Sequence, residues 1–243
     1  MNKLAILAVN LTVLLPAGSG RAGDATQGER TPRPAVVELY TSQGCSDCPP
    51  ADALLGQLAR RSDVLALAFH VDYWDDAGWR DRFELPVSKE RQFAYVRHSG
   101  SDWVYTPQMV VDGTSDVVGG NVAGVERLLA APRLGVPVRI LSGDAELEVD
   151  VDAASGPAVA EVTLLSFVRE AVTAIGRGEN AGRTLKEYNI VRSCTTLGDW
   201  HGAAAAFRVP LSQLPHDAER VAVLLQKKGP GSIIGAAQAD LRR

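Results

Sequence analysis

The chain has 243 residues, 46% of them hydrophobic and 22% charged, with a formal net charge of -4. That balance excludes an intrinsically disordered chain and fits a packed protein of one large domain or two modest ones. Lys and Arg are scattered rather than clustered, which argues against a nucleic-acid backbone as partner.

The chain opens on a processing signal. Lys3 supplies a positive start, residues 4–15 are apolar apart from Asn10 and Thr12, and residues 16–22 offer small side chains to a peptidase. The apolar run is too short for a spanning helix. A signal peptide over 1–22 is expected, cut near Ala22 or near Ser19, with a retained membrane anchor as the alternative. Export to the periplasm or the medium follows, with no stable membrane insertion after cleavage.

After a polar arm over 23–34, residues 36–40 read as a strand, and Cys45-Ser46-Asp47-Cys48 follows it. A helix comes next. Pro49 disfavours helical geometry for Cys48, so the helix is expected to begin at Pro50 with Cys48 just outside. Residues 64–71 form a continuous apolar run, the pattern of a strand buried on both faces. Residues 72–85 hold Tyr73, Trp74, Trp79 and Phe83 and read as a structured loop. A helix over 88–98 and a strand over 104–111 come next. Asp112-Gly113 signals a turn into a strand over 116–119. Asn121 is placed to cap a final helix that Pro132 stops.

The order over 35–133 is therefore β-α-β-α-β-β-α. Over 135–243 seven short strands separated by turn residues predict an all-β antiparallel sandwich-like domain. They cover 136–141, 145–151, 158–168, 185–195, 205–211, 221–226 and 233–237.

A C-x-x-C between a strand and a helix is the placement of a thiol–disulfide redox site. The free N–H groups and positive dipole end of a helix stabilise a thiolate. Cys45 is the expected attacking thiol and Cys48 the resolving one. Asp47 brings negative charge, so a mild couple is expected. A zinc site would need a second ligand pair at matched spacing. The other candidates, Cys194, His70, His98, His201 and His216, form none, so no metal and no organic cofactor is expected. Cys194 falls on a strand and reads as an inert core thiol. His70, followed by Asp72, reads as a hydrogen-bonded strand-end histidine, with a proton shuttle as the sharper alternative. Trp74 and Trp79 either line a substrate groove or pack within their own loop. Asn180, Arg183 and Lys186 read as an ordinary solvated hairpin.

The β-α-β-α-β-β-α order, the C-x-x-C and Thr106-Pro107 resemble the thioredoxin superfamily. More closely, the run from Glu38 to Asp52 is similar to the exported bacterial family DUF1223. So are His70-Val71-Asp72-Tyr73-Trp74-Asp75, Gly78-Trp79, Arg91-Gln92, Tyr105-Thr106-Pro107-Gln108, Gly119-Gly120-Asn121, Asn189-Ile190-Val191-Arg192 and Gly198-Asp199-Trp200. The resemblance implies a thioredoxin-like α/β domain ahead of the all-β one, with Pro107 as a cis-proline and Thr106 offering its backbone to an extended substrate. The thioredoxin pattern has an aromatic before the first cysteine; this chain has Gln43-Gly44, which implies less shielded cysteines. The expected activity is thiol–disulfide exchange with partner proteins. A non-catalytic binding module with a structural disulfide and a Cu(I) carrier using the two cysteines, with His70, are the rival readings.

Overall fold

The computed structural model describes residues 30–75, 78–155 and 159–242, so the signal segment expected over 1–22 lies outside the described residues. A short β1 (Thr31–Pro32) leads into β2 (Ala35–Thr41), α1 (Pro49–Leu58), β3 (Val64–His70), α2 (Pro86–Ser99), β4 (Gln108–Val111), β5 (Ser115–Val118) and α3 (Val122–Leu129). Then come β6 (Leu134–Gly135), β7 (Val138–Ser142), β8 (Glu146–Val151), β9 (Ala160–Ala174), β10 (Thr184–Trp200), β11 (Ala205–Pro210), β12 (Arg220–Lys227) and β13 (Ile233–Asp240). Among the described residues no helix is long and apolar enough to cross a membrane.

The arrangement of these elements corrects the expected fold. A thioredoxin-like β-α-β-α-β-β-α domain followed by a separate sandwich is not what the chain forms. One mixed eight-stranded sheet, in the order β13-β12-β9-β10-β3-β2-β4-β5, runs through both halves. The seam is β3 against β10, parallel at Ala68 and Ile190, and Asn189 Nδ2 donates to Ala66 O at 2.8 Å beside it. Strands expected to close on themselves instead extend the first sheet. Only β11, β8 and β7 form a second layer, a three-stranded sheet.

The physical reason lies in β2 and β3, which are buried at every residue. Alternate side chains of a strand point to opposite faces, so both faces and both edges of these strands need cover. Val37, Leu39, Ala66 and Ala68 meet Leu54, Leu55 and Leu58 of α1 and Val125 of α3. Tyr40, Leu67 and Phe69 join Tyr95 of α2 with Phe167, Val191 and Leu224 from the second half. Each buried Val, Leu or Phe side chain among these contributes about 1.5–3 kcal/mol, so the two halves share one core. A further cluster lies between β8 and the β9–β12 part of the large sheet, including Leu147, Val149, Val162, Val223 and Trp200.

Two boundaries also shift. α1 begins at Pro49, not Pro50, and Cys48 is its N-cap with helical φ -76° and ψ -35°. The preference imposed by one proline yields to the two hydrogen bonds that Cys48 O accepts, from Ala51 N at 2.9 Å and Asp52 N at 3.1 Å. The strand expected over 104–111 starts only at Gln108, after the cis Thr106–Pro107 peptide; proline has no N–H to give a ladder. Asn121 does cap α3, its side chain accepting from Gly124 N at 2.9 Å.

Candidate functional site

Cys45 and Cys48 are joined as a disulfide, with Cα atoms 5.4 Å apart, in the turn between β2 and α1. Both are buried, at 1% and 0% exposure. The expectation of poorly shielded cysteines, drawn from the missing aromatic, is therefore corrected. Shielding comes from elsewhere in the chain. On one side Trp74 packs on Gly44, where an added Cβ would lie 2.9 Å from the Trp74 Cβ. Trp74 Nε1 donates to Thr106 Oγ1 at 2.7 Å, tying this loop to the cis-proline segment. Gly119 completes that side: an added Cβ there would meet Ala51 of α1 at 2.8 Å and Pro107 at 3.0 Å.

The other side is covered by the loop joining β9 to β10, residues 175–183. Asn180, expected as a solvated hairpin residue, is 0% exposed. Its Nδ2 donates to Gln43 O at 3.0 Å and to Cys45 O at 2.8 Å. Ser46 N donates to Glu179 Oε2 at 3.2 Å. A single asparagine thus satisfies two backbone carbonyls of the cysteine turn. No local pattern marks it, since its partners lie 135 and 137 residues away. Of the turn itself only Ser46 and Asp47 reach solvent.

Beneath the turn lies a buried polar cluster. His70 Nδ1 is 2.7 Å from Asp81 Oδ2, both side chains at 0% exposure, and His70 Nε2 is 3.8 Å from Glu187 Oε1. The hydrogen-bonded strand-end histidine is present, with Asp81 as its partner. Asp72 pairs with Lys89 at 2.7 Å. Asp81 also accepts from Gln43 N at 2.8 Å and Phe83 N at 2.9 Å. Gln43 Nε2 donates to Thr173 Oγ1 at 3.0 Å and Glu187 Oε2 at 2.8 Å, while its Oε1 accepts from Trp79 Nε1 at 3.0 Å. Gln43, read as a departure from a motif, is thus the joint between the cysteine turn, the aromatic loop and the β9–β10 arm.

The charges in this cluster are unevenly matched. Burial pushes the Asp52 carboxyl up to about 7, opposed by His70 and reinforced by Glu187. Thr41 Oγ1 donates to Asp52 Oδ1 at 2.9 Å. Burial works against a charged His70, but Asp81 outweighs it with help from Glu187 and Asp52, carrying the imidazole up to about 9. Burial likewise raises Glu187, whereas for Asp81 the opposing burial is overcome by His70 and the carboxyl is lowered. His70 Nε2 has no hydrogen-bond partner. Asp52 also borders a surface groove of about 410 Å³ whose walls include Gln57, Arg60, Lys186 and Tyr188. The site therefore holds a disulfide at a helix start, on the helix that carries Asp52, whose carboxyl burial raises to about 7.

Trp79 and Trp74 are half-buried, their indole N–H groups donating to Gln43 and Thr106. Asp47 is exposed, and no side chain caps α1. Cys194 is half-buried against the core, and burial pushes its thiol up to about 11. Among the described residues no group of three or more His, Cys, Asp or Glu is placed to hold a metal ion.

A crystal structure of a protein from Agrobacterium tumefaciens is similar to this chain, with 34% sequence identity and a TM-score of 0.75. The match covers 86% of this chain and 95% of that one. A β-glucosidase from Kluyveromyces marxianus matches at 10% identity and a TM-score of 0.23, over 45% of this chain and 14% of its own, and carries no argument. No curated protein matches. A family model described as a protein of unknown function, DUF1223, matches residues 36–226, most of the described chain. The chain belongs to the DUF1223 family.

Proposed function

We propose that this protein is an exported thiol–disulfide oxidoreductase acting on partner proteins through Cys45 and Cys48. The observation that carries the reading is the three-residue spacing of a disulfide at the start of α1, in a turn whose Gln43 N donates to Asp81, the partner of His70. Exchange needs a thiolate, a resolving thiol and somewhere for protons to go. In the reduced state the Cys45 thiolate attacks a partner disulfide, and one partner sulfur leaves and takes up a proton. Cys48, losing its proton, then attacks Cys45 Sγ and expels the second partner sulfur. The partner gains two electrons and two protons as a dithiol, and Cys45–Cys48 closes. A second, reducing dithiol protein reopens it by the reverse exchange. Asp52 and His70 are groups able to hold and release protons beside this step.

Burial of both cysteines favours a second reading, a structural disulfide in a binding module. Titration of the mature protein in glutathione buffers separates the two. A reversible two-thiol transition between about −120 and −270 mV supports the oxidoreductase. A disulfide still closed below about −300 mV assigns a structural staple.

A further inference from the structure

We propose that the β9–β10 loop, residues 175–183, is an autoinhibitory cover that must lift before Cys45 reacts. Its regulatory meaning rests on the oxidoreductase reading; the cover itself does not. On the β9–β10 side the disulfide is shut in by contacts that are polar and few. Asn180 gives two hydrogen bonds to the carbonyls of Gln43 and Cys45, and Glu179 accepts one from Ser46 N. Only Ile175 and Asn180 are buried within the loop. Lifting it therefore exposes little apolar surface, and no well-packed core opposes the motion.

The loop is also built to move as a unit. Ile175 N donates to Arg183 O at 2.9 Å and Gly182 N to Ile175 O at 2.8 Å, closing its base. Arg183 Nη1 donates to Asn180 Oδ1 at 2.9 Å, so the covering side chain is fixed within the loop. Gly178 at φ 75° and Gly182 at φ 79° take left-handed geometry that other residues adopt only with strain. Against the aromatic loop the cover makes a thin contact: an added Cβ at Gly176 would meet Trp79 at 3.5 Å.

The groups freed by lifting are those an arriving chain would use. Two carbonyls, of Gln43 and Cys45, and one amide, of Ser46, form a short backbone edge beside the sulfurs. Glu179 and Asn180 occupy that edge as a partner polypeptide would, with donors facing the carbonyls and an acceptor facing the amide. The cover thereby selects partners that supply both and excludes small thiols that supply neither.

The experiment is the rate at which dithiothreitol opens the disulfide in the folded mature protein, read by alkylation and mass. Asn180→Ala should open at least about tenfold faster than the wild type, because two buried carbonyls lose the donor that holds the cover shut. An unchanged rate with an unchanged melting transition overturns the proposal. Should Asn180→Ala fail to fold, hydrogen exchange of the wild type decides. Amides of residues 175–183 and Ser46 exchanging well ahead of β9 and β10 support a lifting cover. Exchange of all of them together overturns it. Capture of mixed disulfides by the Cys48→Ala variant reads the other question. Faster opening without capture keeps the cover and removes the oxidoreductase; capture without faster opening does the reverse.

Discussion

Two buried polar clusters stitch the halves of this protein together, and they are built to opposite ends. Near the middle of β2, Glu38 is 0% exposed and accepts from Arg91 Nε at 2.6 Å and Nη2 at 2.9 Å. Tyr40 donates to it at 3.0 Å and Tyr95 at 2.8 Å, while Gln226 of β12 bonds both Arg91 and Tyr95 at 2.8 Å. One carboxylate faces one guanidinium, and the surrounding hydroxyls and amide fill the remaining positions. At the end of the same sheet Asp52, Asp81 and Glu187 surround His70, whose Nε2 lies 3.8 Å from Glu187 Oε1 without a hydrogen bond. The first cluster matches its one buried carboxylate with one guanidinium; the second sets three carboxyl groups around one imidazole. A balanced network fixes structure, whereas unevenly matched buried charges shift the titration of their members.

The sharpest way to break the comparison is to remove one charge from the balanced cluster. Glu38→Ala strands Arg91 in the core and should cost about 3–5 kcal/mol, read from urea denaturation. The double change Glu38→Leu with Arg91→Met should recover most of that loss, because no unpaired charge remains. Both effects should be the same at pH 6 and pH 8.5. A strong pH dependence, or a loss below about 1 kcal/mol, would make this cluster the titrating one.

Much of this could be read in the chain, and the shortfall has a physical pattern. Residues 64–71, apolar except for His70, announce a strand buried on both faces, and β3 is that strand. Nothing in such an apolar run says which strand lies alongside. The pairing of Ala68 with Ile190 is therefore invisible to periodicity, and the single large sheet is invisible with it. The cysteine turn was legible because its chemistry is local. Its cover was not, because Asn180 and Glu187 act across more than a hundred residues. A hydrophilic hairpin looks the same in sequence whether it meets water or a buried carbonyl. Gln43 carried the one available hint, a polar side chain where the related pattern has an aromatic.

A smaller change tests how the arm reaches the second cluster. Gly56 lies under the Tyr188 ring, and an added Cβ would sit 2.4 Å from ring atoms. The ring also lies 5.9 Å from the Arg60 guanidinium and 5.4 Å from Lys186 Nζ, so it is held from both sides. Gly56→Ala should cost about 1–3 kcal/mol through overpacking, despite the better helix propensity of alanine. Because β10 carries Glu187, the same change should speed opening of the disulfide by dithiothreitol. A variant as stable as the wild type would show that the arm does not seat on α1 at this point.

The finest discrimination is a slope. Asp52 is raised to about 7 from 3.8, so the folded protein holds a proton that the unfolded chain has released. Stability from this group is complete below about 3.8 and declines as pH rises, until it is gone above about 7. His70, raised to about 9 from 6.5, contributes fully below 6.5 and loses that contribution as pH climbs to about 9. The two windows join, so the urea midpoint should fall continuously from pH 4 to pH 9. One proton accounts for at most about 1.4 kcal/mol per pH unit. Asp52→Asn, which keeps the shape and removes the titration, should make the lower window shallower, with the raised Glu187 still contributing there, and leave the fall above pH 7 in place. Loss of the upper fall as well would mean that His70 titrates only through Asp52; an unaltered lower slope would remove Asp52 from the proton-holding groups altogether.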